Sequence, residues 1–176
     1  TMSWIFMGLF SAIPYYQSIF FSTFTDAFFE SMSGITTTGA TILDNIEALP
    51  HGLLFWRSFT QFIGGMGIIL FTIAILPILG MGGVQLFRAE VPGPTTDKLT
   101  PTIKETAKYL WIIYLGLISL ETVVLYIEGI IFNIDKLTFF NAVCHSMTTI
   151  ATGGFSTFNN TILGFESDIV SWTIMF

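Results

Sequence analysis

Two short runs, Thr36-Thr37-Thr38-Gly39-Ala40-Thr41 and Ala151-Thr152-Gly153-Gly154-Phe155-Ser156, recur in matching surroundings. Glu30-Ser31-Met32-Ser33 precedes the first by the same distance as His145-Ser146-Met147-Thr148 precedes the second, and Asn45 follows the first as Asn160 follows the second. Each run is small, hydroxylated and glycine-bearing, and each follows an apolar, aromatic segment too short to cross a bilayer. A run with so little apolar volume cannot pack a core. It can hold its backbone extended with the carbonyl oxygens turned to one side, because glycine permits the positive φ angles that such an arrangement requires.

The surrounding medium decides what such a run is for. The 176 residues are 52% hydrophobic and 10% charged, with mean hydropathy +0.74. A soluble domain carries about 25% charged residues, so the composition is that of a membrane protein. The 19 Phe and 4 Trp suit lipid-facing and interfacial positions. Cys144 is the single cysteine, which excludes a disulfide framework and a cysteine metal cluster. The net charge of -6 argues against nucleic acid as a partner. No basic segment opens the chain in the manner of a signal peptide, and both ends fall in or beside apolar runs, so the chain reads as a piece of a longer one. In a lipid medium a ring of carbonyl oxygens replaces the hydration shell of a cation, as in potassium filters built from four Thr-Val-Gly-Tyr-Gly loops. Both runs fit the front of that pattern, with Gly39 and Gly154 at its first glycine. The candidate ion-binding residues are Thr37, Thr38, Gly39 and Ala40 with Thr152, Gly153, Gly154 and Phe155, acting through backbone carbonyls. No cofactor is expected.

Taken in order, the chain predicts an all-α membrane protein of repeated modules: span, re-entrant pore helix, filter loop, span, as in potassium-channel pores. Residues 1–83 form the first module. Residues 3–13 read as the outer half of its opening span, closed by Pro14. Thr23 and Asp26 make a capping-box start for a pore helix over 24–34, below the roughly 20 residues needed to cross a bilayer. The filter run 36–41 follows, then a span over 53–82 of roughly 45 Å. Gly64-Gly65-Met66-Gly67 within that span predicts close packing against the short helix of the same module, and Pro77 with Gly80-Met81-Gly82-Gly83 marks where the span should loosen. Residues 84–106, with Pro92, Pro94 and Pro101, read as a polar linker. Residues 107–176 form the second module: a span over 107–132, a pore helix over 139–149 started by Asp135 or Thr138, the filter run 151–156, and a further span from 169.

Charge sets the orientation. Arg88, Lys98, Lys104 and Lys108 lie in or beside the 84–106 linker and are four of the 6 basic residues, so the positive-inside rule makes that linker cytoplasmic. Both filter runs then open outward, towards the periplasm. Asp26, Glu30, Asp44, Glu47, Glu128, Asp135, Glu166 and Asp168 fall on the outer side against Lys136 and Arg57, an acidic vestibule that concentrates cations.

Phe24-Thr25-Asp26-Ala27-Phe28-Phe29-Glu30-Ser31-Met32-Ser33-Gly34-Ile35-Thr36-Thr37-Thr38-Gly39-Ala40-Thr41 resembles the first pore loop of the Trk/Ktr/HKT superfamily of potassium transporters, of the TrkH type. Trp56-Arg57-Ser58 with Gly64-Gly65-Met66-Gly67, and His145 through Thr157, are similar to later segments of the same family in the same order. The resemblance implies four such modules around one pore, homodimerisation, potassium uptake at the bacterial inner membrane, and a cytoplasmic nucleotide-binding regulatory subunit of the TrkA type. Gly39 and Gly154 match the family's filter glycines. Only the first and second pore loops fall within this chain, so one copy cannot close the ring.

Other residues compete for a role. Glu121 sits in mid-span, where an ionisable group is costly; it is expected to be hydrogen-bonded within the bundle. Arg57 is expected to anchor the outer end of its span by pairing with an acid or with pore-helix carbonyls. A membrane enzyme, or a carrier of some other solute, would use a buried site at Glu121 or His145. An enzyme needs one asymmetric constellation, whereas a pore needs the same loop several times, and the loop is what repeats. The two runs differ, however: Thr38 is matched by Gly153 and Ala40 by Phe155. The expected outcome is faster permeation of potassium than of sodium, measured side by side in the same membranes; equal rates would contradict the filter assignment.

Overall fold

The computed structural model describes residues 2–75 and 99–175, and all of their regular structure is helical. The elements are α1 (Met2–Tyr16), α2 (Phe24–Ile35), α3 (His51–Ile75), α4 (Leu99–Ile131), α5 (Phe139–Ile150), a 3-10 helix (Thr161–Phe165) and α6 (Asp168–Met175). Among the described residues, two stretches are long and apolar enough to cross a membrane, His51–Ile73 in α3 and Glu105–Ile131 in α4.

The short helices start where their caps dictate. The Thr23 hydroxyl accepts from Asp26 N at 3.1 Å while the Asp26 carboxylate accepts from Thr23 N at 3.1 Å, satisfying two of the donors that a helix start leaves free. In α5 the cap is Thr138, whose hydroxyl accepts from Asn141 N at 3.3 Å. Asp135 lies outside that helix.

Two boundaries differ from the sequence expectation by more than two residues, and one element is new. Pro14 does not close the first helix, which continues through it to Tyr16. A proline so near the end removes only one backbone hydrogen bond. The extra turn places Tyr15, fully buried, against Phe21 at 5.1 Å between ring centroids. Residues 99–106, expected in the linker, are helical and extend α4 at its start. Pro101 falls in the first turn, where a missing N–H costs no helical bond. The 3-10 helix after the second filter run was not anticipated. The linker residues 84–98, including Arg88 and Lys98, and the loosening expected at Pro77 and Gly80 to Gly83 lie outside the described residues.

Packing centres on α3, which touches α1, α2, α4 and α5. One apolar cluster, with Ala12, Tyr15, Ala27, Leu49 and Leu53, fills the space between α1, α2 and α3. Another, with Leu125, Leu137, Ala142, Phe165 and Val170, does the same around α5. A third belongs to neither half: Phe62 and Met66 of α3 pack on Tyr114 and Ile118 of α4. The Tyr114 hydroxyl also donates to Phe62 O at 3.1 Å. The expected role of the small residues in α3 is met by Gly64, where a Cβ would collide with the carbonyl of Ile35 at the end of α2. Gly65 sets the same close approach to Ala151 at the end of α5.

That geometry predicts a contrast between two glycines. Gly64→Ala should destabilise the detergent-solubilised protein by about 2 kcal/mol or more, the scale of an overpacked core. Gly116→Ala, where a Cβ meets nothing within 4 Å, should be neutral or stabilising by about 0.5–1 kcal/mol through helix propensity. Thermal melts of the two variants check this, and equal behaviour would contradict it.

Candidate ion filter

Both short helices end in the same way. In the first, Thr37 N bonds to Gly34 O at 3.0 Å and Thr38 N to Ser33 O at 2.9 Å; in the second, Thr152 N bonds to Thr149 O at 2.7 Å and Gly153 N to Thr148 O at 2.8 Å. This pair of bonds is the Schellman arrangement, which needs a left-handed residue just past the helix and usually recruits glycine there. Here threonine occupies the position both times, with φ 54° at Thr37 and 53° at Thr152. A β-branched residue at positive φ is an outlier, and such strain, about 1–3 kcal/mol per residue, gathers at functional sites. Two residues later the chain turns again through Gly39 at φ 78° and Gly154 at φ 83°.

The backbone emerges as two like hairpins, and they meet. A Cβ on Gly39 would collide with the carbonyl oxygen of Gly153, so Gly39 is required both for its φ and for this approach. No described hydrogen bond ends on the carbonyls of Thr37 to Ala40 or of Thr152 to Phe155. Thr38, Ala40, Thr152 and Gly154 are exposed, whereas Gly153 and Phe155 are buried. All eight predicted residues therefore lie on the two hairpins. The Phe155 side chain turns into the protein.

Each return limb is tied to its short helix through the hydroxyl two places past the glycine, by different chemistry. Glu30, fully buried, accepts from the Thr41 hydroxyl at 2.9 and 3.0 Å and from Ile42 N at 3.2 Å. His145 stands in the matching place. Its Nδ1 lies 2.9 Å from the Asn141 carbonyl, which can only accept, so Nδ1 carries the proton. Its Nε2 then accepts from the Ser156 hydroxyl at 3.0 Å. With both nitrogens committed, His145 braces the hairpin.

Arg57 and Gln61 of α3 back the second hairpin. Arg57 Nε meets Glu30 Oε1 at 2.8 Å, Nη1 donates to Ser156 O at 2.9 Å, and the guanidinium stacks 4.2 Å from the Phe155 ring centroid. The expected acid partner is present, but the carbonyl comes from the other module's return limb. Gln61 Oε1 accepts from Phe155 N at 3.1 Å. Sequence reasoning missed this second attachment, since nothing in the spacing links α3 to a limb 99 positions away. It also missed Asn159, which accepts from Ile46 N at 2.6 Å and donates to Asn45 and Glu47, fastening together the loops that follow the two runs.

Glu121 is not part of this arrangement. It lines a cavity of about 450 Å³ behind the second hairpin with Thr149, Ile150 and Thr152. Both carboxylate oxygens are buried, and the Thr149 side chain is the polar group beside them.

The chain as a whole is similar to known proteins. The family model for TrkH, described as a cation transport protein, matches residues 1–176. The Trk system potassium uptake protein TrkH of Escherichia coli K12 is 48% identical over 173 residues, covering 97% of this chain and 34% of that protein. Its namesake from Vibrio parahaemolyticus is 52% identical over 144 residues, covering 81% of this chain and 28% of that protein. The crystal structure of the potassium transporter TrkH from Vibrio parahaemolyticus superposes with a TM-score of 0.78 at 38% identity, covering 98% of this chain and 32% of that one. The chain thus spans about a third of the length of the relatives it matches. It belongs to the TrkH family of cation transport proteins.

Proposed function

We propose that this chain supplies two of the four filter hairpins of a pore that takes up potassium across the bacterial inner membrane. One observation carries the reading: two hairpins of the same backbone form, Thr37 and Gly39 in one and Thr152 and Gly154 in the other, lie against each other. A dehydrated alkali cation needs several oxygens at once, and peptide oxygens supply them without a net charge that would hold the ion too tightly. The ligands are the carbonyls of Thr37, Thr38, Gly39, Ala40, Thr152, Gly153, Gly154 and Phe155. The membrane potential, worth about 2.3 kcal/mol per charge at 100 mV, drives entry.

Membership of a cation transport family sets aside the reading of a membrane enzyme or other-solute carrier at Glu121 or His145. The names of the relatives, potassium uptake proteins of the Trk system, support potassium as the cargo. The modules 1–83 and 107–176 each contribute one hairpin, joined by a cytoplasmic linker, and the hairpins open to the periplasm. The remaining hairpins, a homodimer and a cytoplasmic nucleotide-binding subunit of the TrkA type complete the working assembly, on the strength of the family resemblance.

Growth of an uptake-deficient bacterial strain in low potassium tests the proposal. The complete transporter carrying this chain should restore growth, and Gly39→Asp should abolish the rescue at equal membrane abundance. Rescue that survives the substitution would contradict a filter at this position.

A further inference from the structure

Arg57 is the largest fully buried side chain among the described residues, 1% exposed, and lies behind the hairpins. It could have been a span anchor and nothing more. Its bonds say otherwise. Through Glu30, which holds Thr41 and Ile42, it fixes the return limb of the first hairpin; through Ser156 O it fixes the return limb of the second. Phe155, the last filter residue of the second hairpin, lies under the same guanidinium. A single rigid fork thus joins both limbs across the line where Gly39 meets Gly153. The second module has no copy of this device. His145 replaces Glu30, and Trp172 occupies the position in α6 that Arg57 holds in α3.

We infer that Arg57 is a positioning residue for ion selection: its guanidinium sets the gap between the two hairpins, and Glu30 cancels its charge so that the cation path beside it is not repulsive. The inference rests on the filter reading. It divides the work into two separable parts. The fork geometry controls discrimination, because carbonyl cages distinguish potassium from sodium by the number and placement of oxygens. The charge balance controls flux, because a buried charge without its partner is felt strongly at short range in a low-dielectric medium.

The two parts predict different failures. Lysine keeps the charge but replaces the two spaced nitrogens of the planar fork with one, so the two partners are no longer held at the guanidinium's spacing. Arg57→Lys should therefore lower the potassium-to-sodium uptake ratio by about tenfold, equivalent to about 1.4 kcal/mol, the scale of one hydrogen bond to a charged group. Glu30→Gln keeps an acceptor oxygen but strands the guanidinium charge. It should lower potassium uptake by about tenfold and disturb the ratio much less.

Rubidium and sodium uptake are measured in the same cells expressing the complete transporter, so the ratio does not depend on the amount folded. Ser119→Ala, which removes only an exposed, uncharged hydroxyl bonded back to Leu115 O, is the control and should leave both readings unchanged. An unchanged ratio in Arg57→Lys overturns the inference, as does an equal fall in the control. Where Arg57→Lys fails to accumulate, Glu30→Gln decides alone, with uptake divided by the amount of transporter in the membrane: unchanged flux per transporter or an altered ratio overturns the inference, and lowered flux per transporter at a kept ratio supports it. A parent transporter that does not favour potassium overturns instead the filter reading beneath it.

Discussion

Away from water, a peptide carbonyl without a partner costs free energy comparable to a lost hydrogen bond, and in a bilayer irregular backbone is tolerated only where protein or a water-filled path covers it. The hairpins at 37–40 and 152–155 leave such carbonyls without described partners. Everything around them reads as the means of holding that unfavourable arrangement. The Schellman turns consume the last carbonyls of α2 and α5 and eject the chain in a set direction. Each puts a threonine in left-handed geometry, a strain that neighbouring contacts must outweigh. The close seat of Gly64 on Ile35 and of Gly65 beside Ala151 presses α3 against both helix ends and keeps those turns from relaxing.

The two halves share backbone form but differ in the wall behind it. Glu30 and His145 each tie a return limb to a short helix, one as a buried carboxylate and one as a neutral ring. Between them α3 contributes an arginine to both limbs. Pseudo-symmetry of the backbone is thus compatible with asymmetry of charge, since in the proposed filter the carbonyls would be the ligands and the side chains only brace them.

Much of this was legible in the sequence because it is local. Thr23 with Asp26 predicted the start of α2, and the Thr-Gly runs predicted where the chain would leave the helices, because capping and positive φ depend on a few neighbouring residues. Pro14 misled because a proline inside a helix removes one bond to the turn before it and can be accommodated there as a local kink, so it does not by itself mark the end of α1. Pro101 misled because it lies in a first turn. The 3-10 helix at Thr161–Phe165 leaves no distinct periodicity in five residues. The double attachment of Arg57 and the bridge through Asn159 were invisible because they are long-range. They follow from α3 standing between two modules, a fact of packing that no spacing in the chain encodes.

The central claim concerns oxygens and an ion, so the most direct measurement locates the ion. Crystals of the complete transporter grown in rubidium, with anomalous diffraction collected at the rubidium edge, should give peaks on the axis shared by the hairpins, coordinated by the carbonyls of residues 37–40 and 152–155. Anomalous density confined to side chains elsewhere, for example at Glu121, with those carbonyls turned from the axis, would contradict the account.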